Sequence, residues 1–230
     1  MWILLVFFIL LALFCPYLWH KTAIYRWKKA LSLDKALPIF TRLYTAIDGF
    51  ALSHHARREH DALDYVYGEI DFMSFIALLS LVKPDNKTVF YDLGSGTGKA
   101  VVACAMVFNV KESNGIELFG SLHHTARKQQ QALSSFPKYM PASKIIHFFH
   151  DDFLHANFNN ATLVYINATG FLGETWIAIS DRLTQTPACT TVISTSKALK
   201  SSAFIVTKIT AVQMSWGIVK AYIHQRIKID

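Results

Sequence analysis

Between Val89 and Lys99 an apolar run, Val89-Phe90-Tyr91-Asp92-Leu93, passes through three alternating glycines, Gly94, Gly96 and Gly98, into a stretch of helical character. The run predicts a buried strand. Glycines directly after it allow a tight turn and a close approach of backbone to a ligand, and the helix that follows offers unpaired N–H groups at its N-terminus. A strand, such a loop and a helix in this order constrain the chain to an α/β fold with a ligand at the strand end.

The glycine spacing separates the possible ligands. A dinucleotide fingerprint reads G-x-G-x-x-G, with an acidic residue about 20 positions on for the ribose hydroxyls. Here the frame is G-x-G-x-G, Asp92 ends the strand before it, and Glu117 ends the next strand. This arrangement suits S-adenosylmethionine better than a nicotinamide cofactor: Glu117 can take both ribose hydroxyls and Asp92 can face the methionine ammonium. Lys99 follows Gly98 outside any Walker frame. A third acid, Asp152, stands in His150-Asp151-Asp152-Phe153-Leu154 after another apolar run. It is placed to accept from the adenine amine, with Phe153 stacking on the ring; its alternative role is a helix cap.

Short Val-, Ile-, Phe- and Tyr-rich runs alternate with helical stretches from Thr88 onward, the pattern of βαβ units. Strands are expected at Thr88–Asp92, Asn114–Glu117, Ile145–Phe149, Thr162–Asn167 and Thr190–Thr195, with helices at Lys99–Phe108, Gly120–Ser134 and Glu174–Leu183. Two last strands, Ala203–Val212 and Trp216–Ile227, follow one another without a helix and form an antiparallel hairpin. Upstream, Leu37, Phe40, Leu43, Tyr44, Ile47 and Phe50 recur at helical spacing, with Pro38 in the first turn. Asp71–Leu81 reads as an apolar helix closed by Lys83-Pro84-Asp85-Asn86.

Hydrophobic residues make up 52% of the 230, and the excess is concentrated at the start. Met1 to Trp19 holds no charged side chain and approaches the roughly 20 apolar residues that span a bilayer core. Trp2, Tyr17 and Trp19 suit interfacial anchors. Without a basic leader or a small-x-small cleavage site, an uncleaved anchor is preferred to a signal peptide. From Lys21 to His60 eight basic residues stand against three acidic ones, so this stretch carries five of the seven net positive charges. The positive-inside bias then places the rest of the chain in the cytoplasm. The remaining charge argues against a dedicated nucleic-acid surface. The expected organisation is a transmembrane anchor at 1–20, a basic juxtamembrane segment at 21–60 and one catalytic domain at 61–230. Cys15, Cys104 and Cys189 lack metal or disulfide spacing, and the adjacent pairs His54-His55 and His123-His124 do not share a helix face, so no metal site is expected.

With these motifs in place the chain resembles the non-SET lysine methyltransferases of the disruptor of telomeric silencing family, from about Val66 to Gln225. Val66-Tyr67-Gly68-Glu69 with Phe72 resembles the loop that lids the cofactor, Asp92 to Gly98 the glycine loop, Gly115-Ile116-Glu117 the ribose acid, and Asp152-Phe153-Leu154 the adenine contact. Val164 to Phe171 is similar to the family's strand-end motif at Asn167 and Phe171, but Ala168 and Thr169 replace an Asn-Phe pair. Ser194 to Lys197 resembles the next strand end. Ser215-Trp216-Gly217, with Tyr222 after a short gap, resembles the hairpin that lines the lysine channel. A looser likeness, in layout, is to the membrane-anchored lysine methyltransferases of the ATP synthase c-subunit.

The resemblance implies a Rossmann-like class I methyltransferase: a mostly parallel seven-stranded sheet ending in an antiparallel hairpin, here preceded by a transmembrane helix. It implies S-adenosylmethionine held by Glu69, Asp92, Gly94, Gly96, Gly98, Glu117, Asp152, Phe153 and Asn167. Catalytic positions fall at Asn167, Tyr67 and Tyr222. The expected partners are a protein with a target lysine and a membrane, with the bacterial inner membrane preferred. A small molecule or lipid as acceptor, a non-catalytic tethered cofactor-binding module and a nicotinamide oxidoreductase are the rival readings.

Overall fold

The computed structural model describes residues 19–57 and 67–227. The anchor expected at 1–20 lies, but for Trp19 and His20, outside the described residues. Among the described residues no helix is long and apolar enough to cross a membrane. The chain divides into two compact units, Met1–Phe40 and Thr41–Asp230. Residues 19–30 are helical.

The segment predicted as one amphipathic helix is two. Helix α1 runs Leu33–Tyr44 with Pro38 in its interior rather than its first turn, and α2 runs Gly49–Ala56. The break is set by Asp48, whose carboxylate accepts from the Ala51 N–H at 2.9 Å and so caps a new helix. Helix α3, Phe72–Ser80, is capped in the same way by Asp71 through the Ser74 N–H. It is apolar on most sides, with Phe75, Ile76, Leu78 and Leu79 at most 1% exposed.

The larger unit is built on one seven-stranded sheet: β1 Val89–Leu93, β2 Glu112–Glu117, β3 Ile146–His150, β4 Leu163–Asn167, β5 Thr191–Thr195, β6 Phe204–Met214 and β7 Gly217–Arg226. Their spatial order is β3-β2-β1-β4-β5-β7-β6. The first five pair in parallel, and β7 runs antiparallel to both β5 and β6, so the predicted closing hairpin is present. Helices α4, Lys99–Val107, α5, Gly120–Ser134, and α7, Gly173–Thr184, link the strands as expected. A short helix α6, Met140–Lys144, preceded by a 3-10 turn at Pro137–Tyr139, was not expected. Pro137 of the turn and Pro141 of the helix read as breakers, yet each sits in a first turn, where a missing N–H costs nothing.

All five residues of β1 are buried, as a central parallel strand covered on both faces requires. The sheet order reverses between β1 and β4, since β1 leads outward to β2 and the chain then returns to β1's other side. At such a switch point the carboxyl ends of the two strands part and leave a crevice. Asp92 on β1 and Asn167 on β4 stand at those ends. In register Asp92 lies beside Tyr165, and Asn167 beside Thr195 of β5. Because residues two apart share a face, Asp92, Tyr165, Asn167 and Thr195 all project from the side that α3 covers, where Phe75 meets the Tyr165 ring edge-on at 5.3 Å.

Candidate functional site

The glycine loop folds back over β2. The Gly94 and Ser95 N–H groups donate to the Ile116 carbonyl at 2.9 and 3.0 Å, and the Gly96 N–H donates to the Glu117 carboxylate at 2.7 Å. Gly115 makes room for this, since a Cβ there would stand 2.7 Å from the Ser95 side chain. Gly96, at φ +55°, lies under the ring of Tyr67, which a Cβ would approach to 2.8 Å. A side chain at Gly96 would therefore be strained in its backbone and crowded by the lid.

Tyr67, Glu69, Asp92, Gly94, Gly96, Glu117, Asp152, Phe153 and Asn167 line one cavity at the switch point, joined by Ser53, Ser95, Thr97, Lys99, Tyr165 and Phe171. Two of the expected residues do not line it. Gly98 is the left-handed residue, φ +83°, that turns the loop into α4. Tyr222 pairs with Ser194 of β5, one residue out of step with Thr195 and Asn167. The alternation of side chains thus sends Tyr222 to the opposite face of the sheet, where its ring lies 6.3 Å from His224.

The floor of the cavity is acidic and buried. Burial, then the nearby Glu117 carboxylate, pushes the Asp92 carboxyl up to about 8. Burial also raises Glu117, opposed by the backbone N–H groups of Phe119, Gly96 and Leu118. Among the described residues the Tyr165 hydroxyl, fully buried beside Asp92, has no hydrogen-bond partner, and neither has the buried Ser95 hydroxyl. Buried polar atoms are rarely left unpaired. Two such atoms in one cavity, beside two buried carboxyl groups, match a polar ligand, and a cationic group on it would favour the ionised carboxyls.

The roof is formed by residues 67–70, held by the tip of the β6–β7 hairpin. The Ser215 N–H donates to the Glu69 carbonyl at 2.8 Å, and Ile70 forms a bridge with Met214. Gly68 packs on the Trp216 ring so closely that a Cβ would stand 1.8 Å from it. Tyr67 donates to Glu69 at 2.7 Å and lies 3.3 Å from the Thr97 hydroxyl. Burial and Glu69 hold its phenol far above the ordinary value, so it remains a donor.

Asn167 is fixed from three sides. Its Oδ1 accepts from Thr195 at 2.7 Å and Thr169 at 3.0 Å, while Nδ2 donates to the Gly68 carbonyl at 3.2 Å. Thr169, which departs from the family's pattern, thus orients the strand-end asparagine and shows it to the roof as a donor. Asp152 lines the cavity and accepts from the Leu154 N–H at 2.8 Å, a bond that closes a turn; among the described residues no helix lies between β3 and β4, so Asp152 caps none. Phe153 meets Phe171 edge-on at 5.6 Å.

Sequence reasoning missed Tyr165, Thr97 and Lys99. Tyr165 stands two residues before Asn167, so strand alternation alone puts it on the same face. Lys99 was legible only as the first residue of α4.

A model of the family described as histone methylation protein DOT1 matches residues 54–222. No curated protein matches the chain by sequence. Among solved structures, an RNA methyltransferase from Salinibacter ruber in complex with S-adenosyl-L-homocysteine is similar, at 21% identity and TM-score 0.51, over 68% of this chain and 92% of its own. Magnesium protoporphyrin IX methyltransferase from Synechocystis, with S-adenosylmethionine bound, aligns at 11% identity and TM-score 0.54, over 79% and 99%. TrmN from Thermus thermophilus aligns at 17% and 0.56, over 75% and 53%. At these identities the structural likeness concerns the fold.

Proposed function

Since the chain belongs to the DOT1 histone methylation protein family and is an S-adenosylmethionine-dependent methyltransferase, we propose that it methylates a lysine side chain of a protein at a membrane surface. The observation that carries this reading is the constellation of Asp92, Glu117, Asp152, Asn167 and the Tyr67–Glu69 roof around one cavity.

In this reading Glu117 takes the ribose hydroxyls, Asp152 and Phe153 the adenine, and Asp92 with Tyr165 the ammonium. When bound, S-adenosylmethionine supplies a methyl group already activated on a sulfonium, so no metal or covalent intermediate is needed. The chain's part is alignment and the exclusion of water. Tyr67, Gly68 and Glu69 close the methionine end. Asn167, its amide held by Thr169 and Thr195, positions the roof above the reacting centre. Phe171 supplies an apolar wall. A lysine amine, ordinarily near pKa 10.4, must arrive neutral, and passage along such a wall favours that form by desolvation.

The membrane setting rests on the apolar residues 1–19 and the basic stretch after them, which would put the catalytic unit on the cytoplasmic side of a bacterial inner membrane. The test is transfer of radiolabelled methyl from S-adenosylmethionine to membrane and soluble fractions, followed by acid hydrolysis. Methyl-lysine from a membrane-fraction protein supports the proposal. Label in extracted lipid or small molecules would replace the acceptor, and no label from protein that binds the cofactor would leave a non-catalytic module.

A further inference from the structure

The cavity has a charge pattern that the cofactor contacts above do not use up. Its described lining carries four carboxyl groups, Glu69, Asp92, Glu117 and Asp152, and one cation, Lys99. That cation is engaged: Lys99 Nζ lies 2.5 Å from Glu69 Oε2, with the two side chains 23% and 17% exposed. The ammonium also stands 5.4 Å from the centroid of the Tyr44 ring. Glu69 is shared, since its other oxygen accepts from Tyr67. The pair therefore joins the roof to the start of α4.

S-adenosylmethionine has two cationic centres, a sulfonium and an ammonium, and one anion, the α-carboxylate. Two of the four acids and the one lysine are enough to match that set, a carboxylate for each cation and the lysine for the anion. A carboxylate in the water-poor end of the cavity needs a cation or several N–H donors, because an unpaired buried charge is very costly. Lys99 opens the nine-residue helix α4 directly after the glycine loop, so its ammonium and the first N–H groups of that helix lie on one side.

Resting on the cofactor reading above, we propose that the Lys99–Glu69 pair stands in for the amino-acid end of the cofactor and exchanges partners with it on binding. Lys99 passes to the carboxylate and Glu69 turns to the ammonium beside Asp92. The exchange breaks one ion pair, Lys99–Glu69, and forms two, Lys99 with the α-carboxylate and Glu69 with the ammonium, so neither member of the original pair is left without a counter-charge. The exchange makes Lys99 the determinant that requires an intact α-carboxylate, and it links loading to the roof, because Glu69 is bonded to Tyr67. A lysine that only pinned the roof would be indifferent to that carboxylate.

The experiment compares S-adenosylmethionine with its decarboxylated form by calorimetric titration of the full chain. Wild type is expected to bind the decarboxylated ligand about 10–100-fold more weakly, the range of one charge-assisted bond. Lys99→Met should weaken S-adenosylmethionine to that level and leave the decarboxylated ligand within about threefold, and Lys99→Arg should restore most of the difference. Equal affinity of wild type for both ligands overturns the proposal, as does a Lys99→Met variant that weakens both by one factor. If that variant does not fold, the two ligands on wild type decide alone. Wild type that is folded by circular dichroism and binds neither ligand would remove the cofactor reading itself, a result distinct from equal binding.

Discussion

The two ends of the sheet meet at the cavity, but they are built on different terms. Strands β1, β2 and β4 are almost wholly buried; their carboxyl ends carry Asp92, Glu117 and Asn167, and the loop after β1 carries the glycines. The β6–β7 hairpin is long and half uncovered, with Ile209 56% and Ile218 72% exposed, and reaches the cavity only by its tip. The central strands supply the ligand-facing groups. The hairpin supplies a backstop, through backbone bonds at Ser215 and Met214 and the face of Trp216. Chemistry is thus concentrated where the chain is most constrained, and the roof hangs from the part least covered by other elements.

The largest effect is expected at the constrained end. Asp92→Asn removes the group assigned to the ammonium and should weaken S-adenosylhomocysteine at least about 100-fold by calorimetry. The same change should stabilise the fold. Asp92 holds its proton to about pH 8 in the native chain and to about 3.8 when unfolded, so the native state binds more protons between these values and stability falls as pH rises through them. Asparagine carries no such penalty, and denaturant unfolding at pH 8 should show a gain of about 2–5 kcal/mol, absent near pH 3. A loss of stability at both pH values would break the contrast between a strained floor and a supporting hairpin.

Next is Gly68→Ala. Its Cβ collides with Trp216, so either the hairpin tip or the roof must shift, at about 1–3 kcal/mol. Methyl transfer should fall about tenfold or more, while affinity for 5′-methylthioadenosine, which lacks the amino-acid end, changes by less than about threefold. Equal losses in both would show that the hairpin acts on the whole site.

A subtler effect lies in pH. An ammonium arriving beside Asp92 favours its ionised form, so binding releases a proton below the carboxyl's value of about 8. S-adenosylhomocysteine affinity should rise between pH 6 and pH 8, by up to about tenfold per unit, and heats in buffers of differing ionisation enthalpy should report close to one proton released. Flat affinity would place the ammonium elsewhere. The smallest change is expected at Ile218→Ser on the uncovered hairpin face, where stability should move by no more than about 0.5 kcal/mol and cofactor affinity not measurably. A larger shift would reveal that this face is covered in the working protein.

The strand, the glycine frame, Asp92, Glu117 and the closing hairpin were legible in the chain because each is a local pattern: a period of two, a positive φ, an acid at a strand end. Helix α6 was hidden because prolines that break a helix interior also begin one. The division of α1 from α2 turned on Asp48, a cap that apolar periodicity ignores. Asp152 carried the signal of a helix cap, but its carboxylate closes a turn onto the Leu154 N–H and no helix follows before β4.

What the sequence by itself determined is the cofactor half: a run of residues next to one another in the chain that can fold in one way and face one kind of ligand. Tertiary structure decided the rest. It moved Tyr222 to the far face, since the register of β7 on β5 sets it opposite Ser194 rather than Thr195, and no local pattern records that register. It also brought Thr195 to Asn167, Tyr165 to Asp92 and Lys99 to Glu69. The last two pairs are separated by 73 and 30 residues, and only the packing of strands and loops sets which charge meets which.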